Sequence, residues 1–271
     1  MIRLDQALVE RGLCESREKA KRSILAGQVR VNGQTARKPS DSVKPDDELK
    51  LDAGEKYVSR GGHKLEHALE HFQLDVMGLV ALDLGASTGG FTDCLLQRGA
   101  AKVFSVDVGR GQLAWTLRTD KRVVVMEKTN ARHLTAAQFP QPYAPADLAV
   151  IDCSFISLRK ILPAAVPLLK AGGKIIALIK PQFEAGKAEA DKGRGVITDA
   201  AIHDRVIQEL QDFVSAQAGP VRYSGGSLEA SRGASSHGAG LCWRNVVESP
   251  LLGPSGNKEF LVLIGKKLAV P

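Results

Sequence analysis

Short, nearly continuous apolar runs recur along the chain after about residue 62, separated by stretches in which apolar residues return every three or four positions. Such runs are typical of strands buried on both faces, and the stretches between them are typical of helices. Alternating strands and helices predict an α/β fold on a doubly wound, parallel sheet. A further strand expected near 221–223 brings the sheet to seven strands. The apolar runs are 80–84, 103–107, 123–126, 148–152, 174–179 and 260–264.

The helices of this part are predicted from their own periodicity. Leu65, Leu69 and Phe72 fall on one face of the first helix. A later helix begins after a capping residue at Thr198 or Asp199 and keeps one apolar face. These faces are expected to cover the sheet.

The first fifty or so residues follow a different pattern. A first short helix is predicted to end at Gly12, and a second to begin after a cap at Ser16 and end at Gly27. Polar residues commonly cap the start of a helix, and glycine commonly follows its end. Alternating strands follow at 28–33 and 48–51, and the first runs into Asn-Gly, a strong hairpin signal. This pattern predicts a small α+β domain.

The chain is therefore expected to hold a small domain at 1–54, a polar, glycine-bearing linker at 55–62 and the larger domain at 63–271. Its 271 residues, 44% hydrophobic and 25% charged, are typical of soluble globular proteins. No run approaches the roughly eighteen apolar residues of a membrane helix, and charged residues occupy the start where a secretory signal would be apolar. A cytoplasmic protein with no membrane partner is expected.

Cysteine spacing and net charge narrow the possible partners. The four cysteines lie far apart, without a C-x-x-C pair, so no zinc site or disulfide framework is expected. His63, His67 and His71 could be drawn as a metal-binding helix face. An exposed helix face is preferred because they lack a Cys or carboxylate partner at ligand spacing. The formal net charge of +7 favours a polyanionic partner such as nucleic acid.

Positive charge is concentrated in the second helix of the small domain. Arg17, Lys19, Lys21 and Arg22 outnumber the acidic residues there. Clustered cations of this kind bind phosphate backbones, although a solvated charged face is the alternative on charge alone.

The small domain resembles a known RNA-binding motif. The runs RLDQALVERGLCESREKA, ILAGQVRVNG, KPS and VKPDDEL are similar to the αL motif of a small-subunit ribosomal protein and of several RNA-modifying enzymes, over nearly all of residues 1–52. The resemblance implies a basic face that binds structured RNA. The residues it implies are Arg3, Arg17, Lys21, Arg22 and Arg30.

A glycine-rich turn follows the first strand of the larger domain, and open parallel sheets bind ligands at such strand ends. The turn is not a dinucleotide motif, because Ser87 occupies the middle glycine position, and no G-K-[ST] makes it a P-loop. Asp83 before the glycines and Asp107 ending the next strand suit a ligand with a cationic amino acid end and a ribose diol, namely S-adenosylmethionine. The candidate cofactor-binding residues are Asp83, Gly85, Ser87, Thr88, Gly89, Gly90, Phe91, Asp107, Asn130 and Asp152.

Six motifs follow one another along the larger domain, namely SRGGHKL, DLGASTGGFTD, VDVGRGQL, DCSFISL, LIKPQFE and GPSGNKEFL. They are the basis of a resemblance to FtsJ-type methyltransferases, and in particular to their TlyA branch. It implies a Rossmann-like methyltransferase sheet, S-adenosylmethionine as cofactor, ribosomal RNA or ribosomal subunits as partner, and methylation of a ribose 2′-hydroxyl, of cytidine. The implied catalytic tetrad is Lys64, Asp152, Lys180 and Glu259.

Several points stay open at this stage. Lys180 could accept the hydroxyl proton or stabilise the alkoxide electrostatically. Phe155 could stack on a base or on adenine, or pack in the core. The Gly/Ser-rich segment 224–247 departs from the family pattern and is expected to form an exposed loop. The alternative functions are a non-catalytic RNA-binding or ribosome-assembly factor and a haemolysin-like protein.

Overall fold

The computed structural model describes residues 1–52, 54–217 and 240–268. They form two compact units, Met1–Lys56 and Tyr57–Pro271. The segment expected to be a linker belongs largely to the second unit, because Tyr57 is buried in that unit's core and a helix begins at Gly61.

The first unit contains the two predicted helices and two small sheets, where the sequence predicted strands at 28–33 and 48–51 only. Ser16 Oγ accepts a hydrogen bond from the backbone N–H of Lys19 and so caps the second helix. Leu4, Leu8, Ile24 and other buried apolar residues form the unit's own core. The elements are β1 (Ile2–Arg3), α1 (Leu4–Glu10), α2 (Arg17–Leu25), β2 (Val29–Val31), β3 (Gln34–Thr35), β4 (Ser42–Val43) and β5 (Leu49–Leu51).

Antiparallel pairing organises the first unit. Strand β2 pairs with β3 and β5, and β1 pairs with β4. The predicted hairpin is confirmed, since β2 and β3 are joined at Asn32–Gly33.

The second unit is built on a seven-stranded sheet. Its helices are α3 (Gly61–His71), α4 (Gly90–Gln97), α5 (Trp115–Arg118), α6 (Leu158–Ala165), α7 (Pro181–Glu184), α8 (Lys187–Lys192) and α9 (Ala200–Ala216). Its strands are β6 (Val80–Leu84), β7 (Lys102–Val106), β8 (Val123–Met126), β9 (Ala146–Ile151), β10 (Leu169–Ile179), β11 (Leu241–Glu248) and β12 (Phe260–Lys266).

The strand order is β11-β12-β10-β9-β6-β7-β8. The five strands from β6 to β10 are parallel, whereas β12 is antiparallel to β10 and β11 is antiparallel to β12. The doubly wound sheet of seven strands is therefore confirmed, but it is mixed rather than wholly parallel. A short connection without a helix joins β11 to β12, and only antiparallel strands can be joined in that way.

The seventh strand observed in the sheet is β11. The segment 221–223, where the sequence predicts a strand, lies outside the described residues. The expectation of a loop over 224–247 is wrong for Leu241 onward, because this segment pairs with β12 along its length. This segment becomes a strand because the edge of β12 is available for pairing, and the local composition of the segment does not predict that pairing.

Both faces of the sheet are buried, as the apolar runs predict. Leu82 and Phe104 contribute to one apolar cluster, and their neighbours Ala81 and Val103 contribute to the other. This alternation follows from the two-residue period of a strand. Within the described residues, no helix is long and apolar enough to cross a membrane. The parallel strands bring their carboxyl ends to one edge, where the candidate site lies.

Candidate active site

A cavity of about 300 Å³ opens at the carboxyl ends of β6, β9 and β10. The turn after β6 forms one wall, and Asp152 and Lys180 directly follow β9 and β10. Lys64 comes from α3, and Glu259 directly precedes β12. The cavity is lined by Ser59, Arg60, Gly61, Lys64, Gly85, Ala86, Ser87, Thr88, Gly90, Phe91, Asp152, Ser154, Lys180, Pro254 and Glu259.

The four residues implied as a catalytic tetrad form two ion pairs in this cavity. Lys64 Nζ pairs with Glu259 Oε2, and both side chains are buried. Lys180 Nζ lies 2.6 Å from Asp152 Oδ1. Buried charges are stable only when they are paired, so each lysine is held by its carboxylate.

Ser154 is a member of the site that the sequence reasoning did not single out. Lys180 Nζ donates a hydrogen bond of 2.8 Å to Ser154 Oγ. The available signal was its position, two residues after the strand-end carboxylate Asp152 and at the same edge of the sheet.

Two carboxylate oxygens of the tetrad keep hydrogen-bonding capacity. Asp152 Oδ1 is close to Lys180 Nζ but is not aligned with it for a hydrogen bond. Glu259 Oε1 is likewise buried without a hydrogen-bond donor among the described residues. Buried acceptors are normally satisfied by protein groups or ordered water, so these two atoms can accept hydrogen bonds from water or from a molecule bound in the cavity.

Glycines of the turn let backbone segments approach closely. Gly85 has φ +89°, and a Cβ there would lie 2.7 Å from the backbone oxygen of Asp152. Gly89 has φ +100° at the start of α4, and a Cβ there would overlap the side chains of Leu117 and Leu113. Gly89 is therefore required for packing and does not line the cavity, whereas Gly85 brings the turn against the end of β9.

Asp83 is the fully buried penultimate residue of β6 and is not among the residues that line the cavity. Its Oδ2 accepts a hydrogen bond of 2.6 Å from Thr92 Oγ1, which also contacts Ser105 Oγ at 2.7 Å. Burial raises the pKa of Asp83 to about 7; the hydrogen bond from Thr92 opposes this and the nearby carboxylate of Asp152 adds to it. Its Oδ1 has no partner among the described residues.

Asp107 ends the neighbouring strand and is held by backbone groups. Its two oxygens accept hydrogen bonds from the N–H groups of Ser87, at 2.8 Å, and Gly109, at 2.7 Å. It lines a small cavity with Ser87 and Leu113. Asn130 is not brought to either cavity; it is exposed, and its side-chain oxygen caps the short turn that follows.

Phe155 is not a core residue. It is 89% exposed, with φ +62°, and its ring centroid lies 5.0 Å from that of Phe183. The exposed ring follows Ser154, which lines the cavity. Among the described residues there is no group of His, Cys, Asp or Glu that could hold a metal ion.

In the first unit, the residues implied to bind RNA differ in their partners. Arg3 and Arg17 both bond to Asp5, and Arg30 pairs with Asp52 at 2.7 Å. Lys21 lies 3.7 Å from a glutamate one turn away, and Arg22 has no ion pair among the described residues.

Comparisons with known proteins match both units. The family model of FtsJ-like methyltransferases matches residues 57–237, and the S4 domain model matches residues 2–49. The chain is 44% identical over 264 residues to the 16S/23S rRNA (cytidine-2′-O)-methyltransferase TlyA of Mycobacterium tuberculosis, covering 96% of this chain and 88% of that protein. It is 42% identical over 206 residues to Hemolysin A of Brachyspira hyodysenteriae, covering 76% of this chain and 85% of that protein. A solved structure from Streptococcus thermophilus, provisionally assigned as a hemolysin, superposes with a TM-score of 0.68 at 40% identity, covering 98% of this chain and 88% of that one.

Proposed function

Because this chain belongs to the family of FtsJ-like methyltransferases and carries an S4 domain, we propose that it methylates the ribose 2′-hydroxyl of a cytidine in ribosomal RNA. S-adenosylmethionine is the proposed methyl donor. The observation that carries the proposal is the convergence of Lys64, Asp152, Lys180 and Glu259 on one cavity beside the glycine turn. The relative from Mycobacterium tuberculosis, named for cytidine 2′-O-methylation, supports the nucleotide assignment.

The donor set at the strand ends fits a cationic cofactor. Asp83, Asp107 and Asp152 lie close enough for the latter two to raise the pKa of Asp83. Asp83 Oδ1 is a buried acceptor without a partner among the described residues. A positively charged ligand relieves the repulsion between such carboxylates. S-adenosylmethionine supplies a methyl group on a sulfonium centre, and its ribose hydroxyls suit the rim carboxylate of Asp107.

Lys180 and Asp152 supply the proposed chemistry at the substrate hydroxyl. A ribose hydroxyl is a weak nucleophile, so it must lose its proton as it attacks. Asp152 Oδ1 is paired with the Lys180 ammonium but has no aligned hydrogen-bond donor among the described residues, so it can accept a hydrogen bond from that hydroxyl and take its proton. The ammonium of Lys180, held 2.6 Å from Asp152 Oδ1 and bonded to Ser154, stabilises the negative charge that develops on the oxygen.

Lys64 and Phe155 are assigned supporting roles. The Lys64–Glu259 pair places a second cation at the cavity, and Glu259 Oε1 can accept a hydrogen bond from a substrate hydroxyl. The exposed ring of Phe155 offers a stacking surface for a nucleobase outside the cavity.

The test is single-turnover methyl transfer to ribosomal RNA at saturating cofactor, with ribose methylation mapped on the product. Lys180→Ala is expected to lower the rate by about 10²-fold or more with little change in RNA and cofactor affinity. Lys180→Arg keeps the charge but cannot accept a proton, so it should retain more activity than Lys180→Ala.

Lys121→Ala, which removes an exposed lysine outside the cavity lining, is the matched control and should behave as wild type. Equal loss in Lys180→Arg and Lys180→Ala would assign Lys180 as the base instead. Near wild-type turnover in Lys180→Ala would contradict the tetrad assignment. Binding of ribosomal RNA by the wild-type protein without any methyl transfer would favour a non-catalytic RNA-binding protein.

A further inference from the structure

Asp5 is a fully buried carboxylate at the start of the first unit's helix α1. Its Oδ1 accepts a hydrogen bond from Arg3 Nε at 3.0 Å, and its Oδ2 accepts from Arg3 Nη2 at 3.2 Å and from Arg17 Nη2 at 3.0 Å. One buried group thus joins β1 to α2 through two guanidinium groups.

The two arginines are not buried with it. The side chains of Arg3 and Arg17 remain 47% and 54% exposed. A guanidinium carries five N–H donors, and those not used by Asp5 have no hydrogen-bond acceptor among the described residues. Each guanidinium group is therefore bound to Asp5 on one side and presents its remaining N–H donors to solvent.

The carboxyl of Asp5 is ionised at neutral pH. The hydrogen bond from Arg3 lowers the pKa of its carboxyl to about 2; burial opposes the shift, and the contacts with Arg17 support it. With one negative and two positive charges, the cluster keeps a net charge of +1.

We propose that Asp5 is a positioning residue that holds Arg3 and Arg17 as a preformed binding site for the phosphodiester backbone of RNA. The inference rests on the proposed function and deepens it by assigning the part of the first unit that meets phosphate. A planar guanidinium binds a phosphate through two parallel hydrogen bonds, so its orientation matters as well as its charge. Side chains that are ordered before binding lose less entropy when the ligand arrives.

The pair of Arg30 and Asp52 shows what the buried position adds. These groups are 2.7 Å apart, but their side chains are 46% and 32% exposed. An exposed pair is screened and holds its members weakly. Asp52 is therefore a matched carboxylate in the same unit that lacks the positioning role.

Charge alone and positioning predict opposite signs for the removal of Asp5. If only net charge mattered, Asp5→Asn would strengthen RNA binding, because it removes a negative charge from an anion-binding unit. If Asp5 positions the arginines, Asp5→Asn weakens binding by about tenfold, since two side chains must then be ordered on binding.

The experiment measures binding of the full-length protein to deproteinised 23S ribosomal RNA, with methyl transfer recorded in parallel. Asp5→Asn is expected to raise the RNA Kd and KM while turnover at saturating RNA stays unchanged. Asp52→Asn should leave the Kd unchanged or lower it. Affinity in Asp5→Asn equal to or above that of the wild type would overturn the proposal.

Arg17→Lys tests the same site without changing the net charge and without altering a buried residue. This variant is the test of the proposal if Asp5→Asn does not fold. The loss of the planar fork should weaken RNA binding, and wild-type affinity in this variant would refute the site. In an Arg17→Lys background, Asp5→Asn should cost less than it does alone, whereas a purely structural role predicts additive losses. Failure of the wild-type protein to bind or methylate the RNA would instead contradict the proposed function.

Discussion

Carboxylates of similar chemistry take different roles in the second unit because their surroundings differ. Each oxygen of Asp107 accepts one backbone hydrogen bond at the rim, whereas Asp152 and Glu259 each keep an oxygen without an aligned hydrogen-bond donor among the described residues. Asp83 is buried against hydroxyl groups and carries a raised pKa. These carboxylates lie together because they stand at or near the ends of neighbouring strands. The hydrogen-bond partners of each oxygen determine whether the group binds a ligand, accepts a proton or stays protonated.

The raised pKa of Asp83 makes stability depend on pH. In the unfolded chain its carboxyl titrates near 3.8, and in the folded protein near 7. The folded state therefore binds an extra proton between these values, and the associated stabilisation is present at low pH and lost as the pH rises through about 7. Asparagine cannot ionise, so the free energy of unfolding of Asp83→Asn should rise relative to that of the wild type as the pH increases from 5 to 8.

Urea unfolding of the cofactor-free protein at each pH checks this expectation. Asp120→Asn serves as the control: Asp120 is held ionised by Arg122, which lowers its pKa, so the difference from wild type should stay constant over the same range. A constant difference for Asp83→Asn as well would contradict the assigned titration.

At the scale of elements, the connection between β11 and β12 positions Glu259. Asn257 in this connection is buried; its Oδ1 accepts from Ile197 N at 2.8 Å, and its Nδ2 donates to Gly195 O at 2.8 Å. The backbone N–H of Gly253 donates to the carbonyl of Asn257. These bonds tie the connection to the segment before α9.

Asn257→Ala should lower turnover by about 10- to 100-fold, because Glu259 and its partner Lys64 lose their fixed position. Stability should fall by about 1–3 kcal/mol, since the buried backbone N–H of Ile197 loses its acceptor and the hydrogen bond to Gly195 O is also lost. The RNA KM should change little. Steady-state kinetics and thermal unfolding measure these effects, with the exposed Asn245→Ala as control. A loss of stability with wild-type turnover would show that Asn257 does not act through Glu259.

At the scale of the molecule, the two units have separate apolar cores, and all residues of the candidate cavity belong to Tyr57–Pro271. A protein reduced to residues 57–271 is therefore expected to fold cooperatively and to bind S-adenosylmethionine with similar affinity. It should lose most of its affinity for ribosomal RNA. The salt dependence of RNA binding should also weaken, by a slope of about 0.7–0.9 for each phosphate that the first unit no longer neutralises.

Calorimetry with the cofactor and salt titrations with the RNA provide the two measurements. The full-length protein carrying Arg22→Ala is the graded comparison, since it removes one cation that has no ion pair among the described residues. RNA affinity in the shortened protein equal to that of the intact chain would contradict a binding role for the first unit.

Local pattern was sufficient for much of the architecture. The apolar runs predicted six of the seven strands because a strand buried on both faces needs apolar residues on both. The Asn-Gly hairpin and the cap at Ser16 were predictable because they depend on a few adjacent residues. The strand-end positions of Asp83, Asp107, Asp152 and Lys180 followed from the strands themselves.

Tertiary structure alone decided the rest. Lys64 and Glu259 are 195 positions apart and meet only because α3 and the start of β12 reach the same cavity. Leu241–Glu248 is a strand because β12 offers it a pairing edge, and Gly89 is needed because Leu113 and Leu117 fill the space beside it. Sequence specifies which polar groups stand at the sheet edge, but their partners, and therefore their charge and reactivity, depend on distances that only the folded chain establishes.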